Sequence, residues 1–208
     1  MPSSCPKCRR VLEEDEICCA QVRHAWRCLR CFKFTIGFAV PYGECFMCGG
    51  ELEVIPERDL GDCMRFHAIH DAMQFELDWF HFFKLARERA TTPEQCIVLE
   101  HFYEDGLEHL HELEEKYHAH LDGEMVELAS NEEKLLLDWP FRGIRVMEDA
   151  GVADLYRVAL EAERRARDYF RQLASQFPAG LENELYREVA AEEDEHVAML
   201  ETELEQIA

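Results

Sequence analysis

From Asp62 onward the apolar residues recur at helical spacing, and they fall into four stretches. The first carries Ile69, Ala72, Met73, Trp79, Phe80, Phe83 and Ala86. It ends before Thr91-Thr92-Pro93, a helix-start signal for the second. That second stretch carries Leu99, Phe102, Tyr103, Gly106, Leu110, Leu113 and Tyr117. A connection from about 122 to 151, containing Pro140 and Gly143, follows; some bundles need such a crossover to join parallel neighbours. The third stretch has Leu155, Ala159, Ala166, Phe170 and Leu173 and stops near Pro178-Ala179-Gly180. The fourth has Leu185, Tyr186, Val189, Ala190, Val197, Leu200 and Leu204. Together they predict an all-α four-helix bundle over residues 60–208.

Each stripe is interrupted by a residue that an apolar core should exclude. Glu76 lies in the first, Glu163 in the third, and Glu193 with His196 in the fourth. A carboxylate in a core is costly unless it is paired or bound to a metal. Helical residues three apart share a face, so Glu193-x-x-His196 aims two donors at one point.

An internal repeat at a shift of 87 residues extends the set. Ala72, Glu76, Phe82, Phe83 and Lys84 match Ala159, Glu163, Tyr169, Phe170 and Arg171. Glu108, His109, Leu110, Leu113 and Glu114 match Glu195, His196, Val197, Leu200 and Glu201 without a gap. The first two helices therefore repeat as the last two, as expected of two hairpins packed around one core. Bundles that hold two metals draw one Glu from each of two helices and Glu-x-x-His from each of the others. Glu76 and Glu163 supply the lone carboxylates, Glu193 and His196 one full pair, and His109 the histidine of the other. Gly106 stands where the remaining glutamate is expected. That departure leaves three outcomes: an open coordination position, a weaker second metal, or a site for one metal. Tyr103, one turn before Gly106, is a candidate to fill the vacated space and to ligate or hydrogen-bond a metal-bound oxygen. The literal pairs Glu108/His111 and Glu115/His118 are set aside, because Glu108 lies about 200° around the helix from Gly106. They read as a solvated face, with His101 and His120.

The first 59 residues have another character. Eight of the ten cysteines lie within the first 48 positions, and Cys5/Cys8, Cys28/Cys31 and Cys45/Cys48 form C-x-x-C pairs. Two such knuckles complete a tetrahedral site that suits zinc or a single iron. Cys28, Cys31, Cys45 and Cys48 are the strongest set. Phe32 to Glu44 between them reads as a short hairpin, and Gly49-Gly50 let backbone amides turn toward sulfur. Cys5, Cys8, one of Cys18 and Cys19, and His24 are candidates for a second zinc site. A small β-hairpin metal module over residues 1–59 is thus expected before the bundle.

Charge separates the two parts. The net charge is −22, of which residues 1–59 carry −1 and residues 60–208 carry −21. So acidic a domain repels phosphate backbones and anionic membranes, so nucleic acid is not expected as a partner. The sequence shows neither an export leader nor an apolar run that could span a bilayer. Dense cysteines without a leader suggest metal ligands, and a cytoplasmic protein is expected.

The stretch W-R-C-L-R-C…C-F-M-C-G-G, Trp26 to about Leu52, resembles the rubredoxin-like module of rubrerythrins. The segments A-M-Q-F-E at 72–76, A-L-E-A-E-R-R-A-R-D-Y-F at 159–170 and Y-R-E-V-A-A-E-E-D-E-H at 186–196 resemble their ferritin-like domain. The cysteine module precedes the bundle, as in reverse-order rubrerythrins. The resemblance implies a homodimer that reduces hydrogen peroxide at a di-iron centre ligated by Glu76, His109, Glu163, Glu193 and His196. Electrons from a donor protein would enter through iron at the four cysteines. Phe32 and Phe46, where the family commonly has glycine and proline, keep zinc open at those cysteines. Gly106 keeps open a second class of function: a non-catalytic metal-binding protein, with a zinc clamp and a degenerate bundle site for sensing, storage or interaction.

Overall fold

The computed structural model describes residues 3–4, 11–12, 24–37, 44–55, 60–120 and 140–207. Short strands β1 (Ser3–Ser4) and β2 (Val11–Leu12) pair antiparallel. Strands β3 (His24–Cys28), β4 (Phe34–Gly37) and β5 (Leu52–Ile55) form an antiparallel sheet in the order β4-β3-β5. Four helices follow: α1 (His67–Glu88), α2 (Pro93–Tyr117), α3 (Val152–Gln176) and α4 (Leu181–Ile207). The architecture is the expected one, a small cysteine-bearing sheet followed by a four-helix bundle. None of these helices is long and apolar enough to cross a membrane.

The helix boundaries follow local chemistry. Thr92 caps α2 through a reciprocal box: Gln95 N–H donates to the Thr92 hydroxyl at 3.2 Å, and Thr92 N–H donates to the Gln95 amide oxygen at 3.2 Å. Pro93 opens the helix, where a missing N–H costs nothing. The α1 terminus is capped from a distance, because Glu182 of α4 accepts from Ala68 N–H at 2.9 Å. The Asp154 carboxylate accepts from Gly151 N–H at 3.1 Å and so satisfies the start of α3.

α1 packs on α2 and α3 on α4, and the hairpins meet through α1 against α4 and α2 against α3. This is the pairing the repeat predicts. α1 is buried around more of its circumference than its stripe suggests: Phe75, His81 and Phe82 are also inside. Phe141 of the crossover covers that second face, stacking on Phe82 at 4.4 Å. Tyr103, Leu173 and Leu200, expected in the core, are only half-buried at its edge.

In the cysteine module the first knuckle is itself the hairpin turn. β3 runs into Cys28 and β4 leaves after Cys31, with Trp26 opposite both Thr35 and Val54. The expected hairpin between the knuckles thus shifts upstream: β4 pairs with β3, and residues 38–43 lie outside the described set. Phe32 has φ +68°, a backbone conformation that favours glycine and costs a bulky residue about 1 kcal/mol or more. Its ring lies 4.7 Å under the Arg187 guanidinium of α4, a cation–π contact tying module to bundle. Arg27 donates to Glu53 at 2.7 Å and to Glu184 of α4 at 2.7 Å, and Lys33 pairs with Glu195.

Gln95 is the buried polar joint between α2 and the crossover. Its side-chain N–H groups donate to the carbonyls of Glu148 at 3.1 Å and Ala150 at 2.8 Å. Gln95→Ala removes those bonds and the capping box together, leaving the buried Ala150 carbonyl unpaired. The expected loss in unfolding free energy is about 2–3 kcal/mol, read as a lower midpoint in chemical denaturation.

Candidate metal centres

Four cysteine thiols converge between β3 and β5. Cys28 Sγ lies 3.5 Å from Cys48 Sγ, and Cys31 Sγ lies 3.7 Å from Cys45 Sγ. Metal–sulfur bonds of about 2.3 Å in a tetrahedron set sulfurs about 3.8 Å apart, so these spacings fit one tetrathiolate ion. Gly50 is required here: a Cβ would stand 2.7 Å from Cys28 Sγ and 3.2 Å from Cys48 Sγ. Gly49 turns the chain with φ +64°. Burial pushes the Cys28 thiol up, but N–H groups of Cys31 and Arg30 directed at its sulfur outweigh that and lower it to about 7. None of these four forms a disulfide. Cys5, Cys8, Cys18 and Cys19, proposed for a second site, lie outside the described residues, and His24 is described only in its backbone.

The second centre lies inside the bundle. Its donors fall into two groups that share a histidine: Glu76, His109 and His196 form one, and Glu163, Glu193 and His196 the other. Within each group the donor atoms lie within 4.8 Å of one another. Every helix contributes, since Glu76 is on α1, His109 on α2, Glu163 on α3, and Glu193 with His196 on α4. His109 Nδ1 is 3.5 Å from Glu76, and His196 Nδ1 is 3.2 Å from Glu193 and 3.6 Å from Glu163. The two imidazoles stack face to face across the core, 4.4 Å apart and 4° from parallel.

These carboxylates are buried, with Glu76 5 %, Glu163 3 % and Glu193 2 % exposed. Among the described residues no lysine or arginine pairs with any of them. Glu163 Oε2 is buried with no hydrogen-bond partner. Three acidic groups and two imidazoles converging with an orphaned oxygen fit a divalent first-row metal, whose preferred donors these are.

Gly106 is enclosed rather than open. A Cβ at this position would meet Trp79 Cδ1 at 2.6 Å and the Phe80 backbone nitrogen at 3.3 Å. The space expected for Tyr103 is thus taken by the Trp79 indole. Tyr103 is half-buried, its ring edge toward Phe80 at 5.8 Å, and it belongs to neither donor group. His101, Glu108, His111, His118 and His120 are exposed, as a solvated face requires.

A cavity of about 400 Å³ opens onto the bundle donors Glu76, His109, Glu193 and His196. Lys33, Phe34, Thr35 and Phe46 of the cysteine module line its other side. Lys116, at its wall, pairs with Glu192 and lies 4.7 Å over the Phe34 ring. These lining residues and Trp79 escape a reading that seeks ligands alone. One signal was present, since Lys116 is seven residues from His109 and so shares its face. No protein-family model matches this chain, and no curated protein does.

Without metal, burial raises Glu163 to about 7 and holds Glu193 well above the usual carboxylate range, the latter helped by the adjacent Glu163. Burial depresses His109, but the charges of Glu76, Glu163 and Glu193 overcome it and raise the imidazole to about 10. All three shifts leave the folded protein holding more protons than the unfolded chain, so stability declines as pH rises. The carboxyl contributions are complete below the usual carboxylate pKa near 4.5, and that of Glu163 is lost as pH passes about 7. The His109 contribution is complete below about 6.5 and fades toward about 10. Metal-free protein should therefore melt at a higher temperature at pH 5.5 than at pH 8, with the order reversed when a divalent metal is present. Calorimetric scans with and without chelator check this.

Proposed function

We propose that the chain is a rubrerythrin-like redox protein that reduces hydrogen peroxide or reacts with oxygen at an iron-loaded bundle centre, in defence against oxidative stress. The observation that carries this reading is the shared cavity, with bundle donors on one side and the cysteine module on the other. Iron bound to Glu76, His109, Glu163, Glu193 and His196 would supply electrons to an O–O bond, replenished through iron at Cys28, Cys31, Cys45 and Cys48.

The chain's own groups supply the surroundings. A 400 Å³ space admits a small oxidant. Buried Leu113, Val189 and Ala72 exclude bulk water from one wall, while Glu112 and Glu115 at the rim can carry protons in from solvent. The Arg27, Phe32 and Lys33 contacts hold the module against α4, so Phe34, Thr35 and Phe46 stay on the cavity wall. A separate electron-donor protein and assembly into a homodimer belong to the same proposal.

The enclosed Gly106 favours the alternative, a non-catalytic metal-binding protein, because it removes one coordinating carboxylate. One experiment separates the two. Iron-loaded protein, red as purified from ferric tetrathiolate and then reduced anaerobically with dithionite, should be reoxidised by peroxide far faster than free ferrous iron in the same buffer. Glu193→Gln should slow that oxidation by about 10- to 100-fold while the thiolate colour persists. Oxidation at no more than the buffer rate, or a colourless protein holding only zinc, would replace the redox reading with the alternative.

A further inference from the structure

The 87-residue repeat permits a comparison that neither hairpin offers alone. Gly106 on α2 corresponds to Glu193 on α4, and Trp79 on α1 corresponds to Ala166 on α3. All four are buried. One hairpin thus has a small residue with a carboxylate, and the other a large indole with no side chain. The exchange is reciprocal in volume. It is also locked, because the Trp79 Nε1–H donates to the Phe102 carbonyl at 2.8 Å and the ring packs on Phe83 at 4.6 Å. A glutamate at 106 cannot enter while Trp79 stays, since its Cβ alone would be 2.6 Å from the indole.

The donor count has a direct consequence. His196 belongs to both groups, but its ring nitrogen facing the cluster can give one lone pair to one ion. Once His196 joins Glu163 and Glu193, the other position keeps Glu76 and His109, because neither Glu163 nor Glu193 falls within their donor group to bridge to it. Two protein donors are too few for a tight first-row site, and the helix 2 carboxylate that would complete it is the one Trp79 displaces.

We propose that Trp79 and Gly106 together turn a two-metal cage into a centre for a single divalent ion, seated on Glu163, Glu193 and His196. This rests on the reading that the bundle binds metal, and the test separates the two claims. Mn2+ serves as the probe, because carboxylates favour this hard ion and thiolates do not. Two ions about 3.5–4 Å apart couple magnetically, whereas one gives an isolated six-line spectrum.

Wild-type full-length protein, titrated with Mn2+ and read by equilibrium binding and electron paramagnetic resonance, should take up one tight equivalent with an uncoupled spectrum. Two coupled equivalents would overturn the proposal while leaving the metal centre intact. No uptake would overturn both. The paired variant Trp79→Ala/Gly106→Glu should gain a second, coupled equivalent; remaining at one would remove Trp79 and Gly106 as the cause. Trp79→Ala alone should stay at one, because space without the carboxylate adds no donor, and a second ion there would refute the role given to Gly106. If the paired variant fails to fold by circular dichroism, the wild-type count still decides.

Discussion

Three carboxylates, from α1, α3 and α4, are turned away from water with His109 and His196 beside them but, among the described residues, no lysine or arginine to receive them. Burying one ionised carboxylate costs on the order of several kcal/mol. A bundle that buries three has to keep them protonated or supply a cation. Protonation is the metal-free solution, visible in the raised Glu163, Glu193 and His109. Metal is the other. The position of each donor helix, the stacked imidazoles and the orphaned Glu163 oxygen are consequences of satisfying this one electrostatic demand from four directions.

The cysteine module obeys a related logic with softer ligands. Its knuckles set sulfur spacing by backbone turns, and Gly50 is small because the sulfurs approach the chain there. The module is also committed to its neighbour. Phe32 accepts a left-handed backbone in which glycine would be unstrained, and in return its ring supports Arg187 of α4. With Arg27 on Glu184, the thiolate site and the cavity over the bundle donors are held in one arrangement. Backbone strain at Phe32 persists because packing on α4 over-determines it.

Much of this is legible in the sequence. Glu76, Glu163, Glu193 and His196 stood out because each broke an apolar stripe, and His109 was reached through the repeat although its own helix offers two decoy Glu-x-x-His pairs. Those decoys proved exposed, as the 100° rotation per residue demands. What the pattern could not give was the shape of a vacancy. Sequence marks Gly106 as a missing ligand, but whether the space is open, filled by Tyr103 or closed by Trp79 depends on indole orientation, which no periodicity encodes. Burial of Phe75 and Phe82 was hidden for a similar reason: the cover comes from Phe141, which belongs to none of the four apolar stripes.

X-ray absorption at the iron edge of protein purified from iron-replete cells addresses the central claim most directly. Two populations of scatterers are expected: sulfur at about 2.3 Å from the cysteine site, and oxygen or nitrogen at about 2.0–2.2 Å from the bundle. The light-atom shell should vanish in a Glu163→Ala/Glu193→Ala/His196→Ala protein that retains the sulfur shell. A wild-type spectrum containing sulfur alone would contradict it, because the bundle carboxylates would then be buried without the cation that explains their convergence.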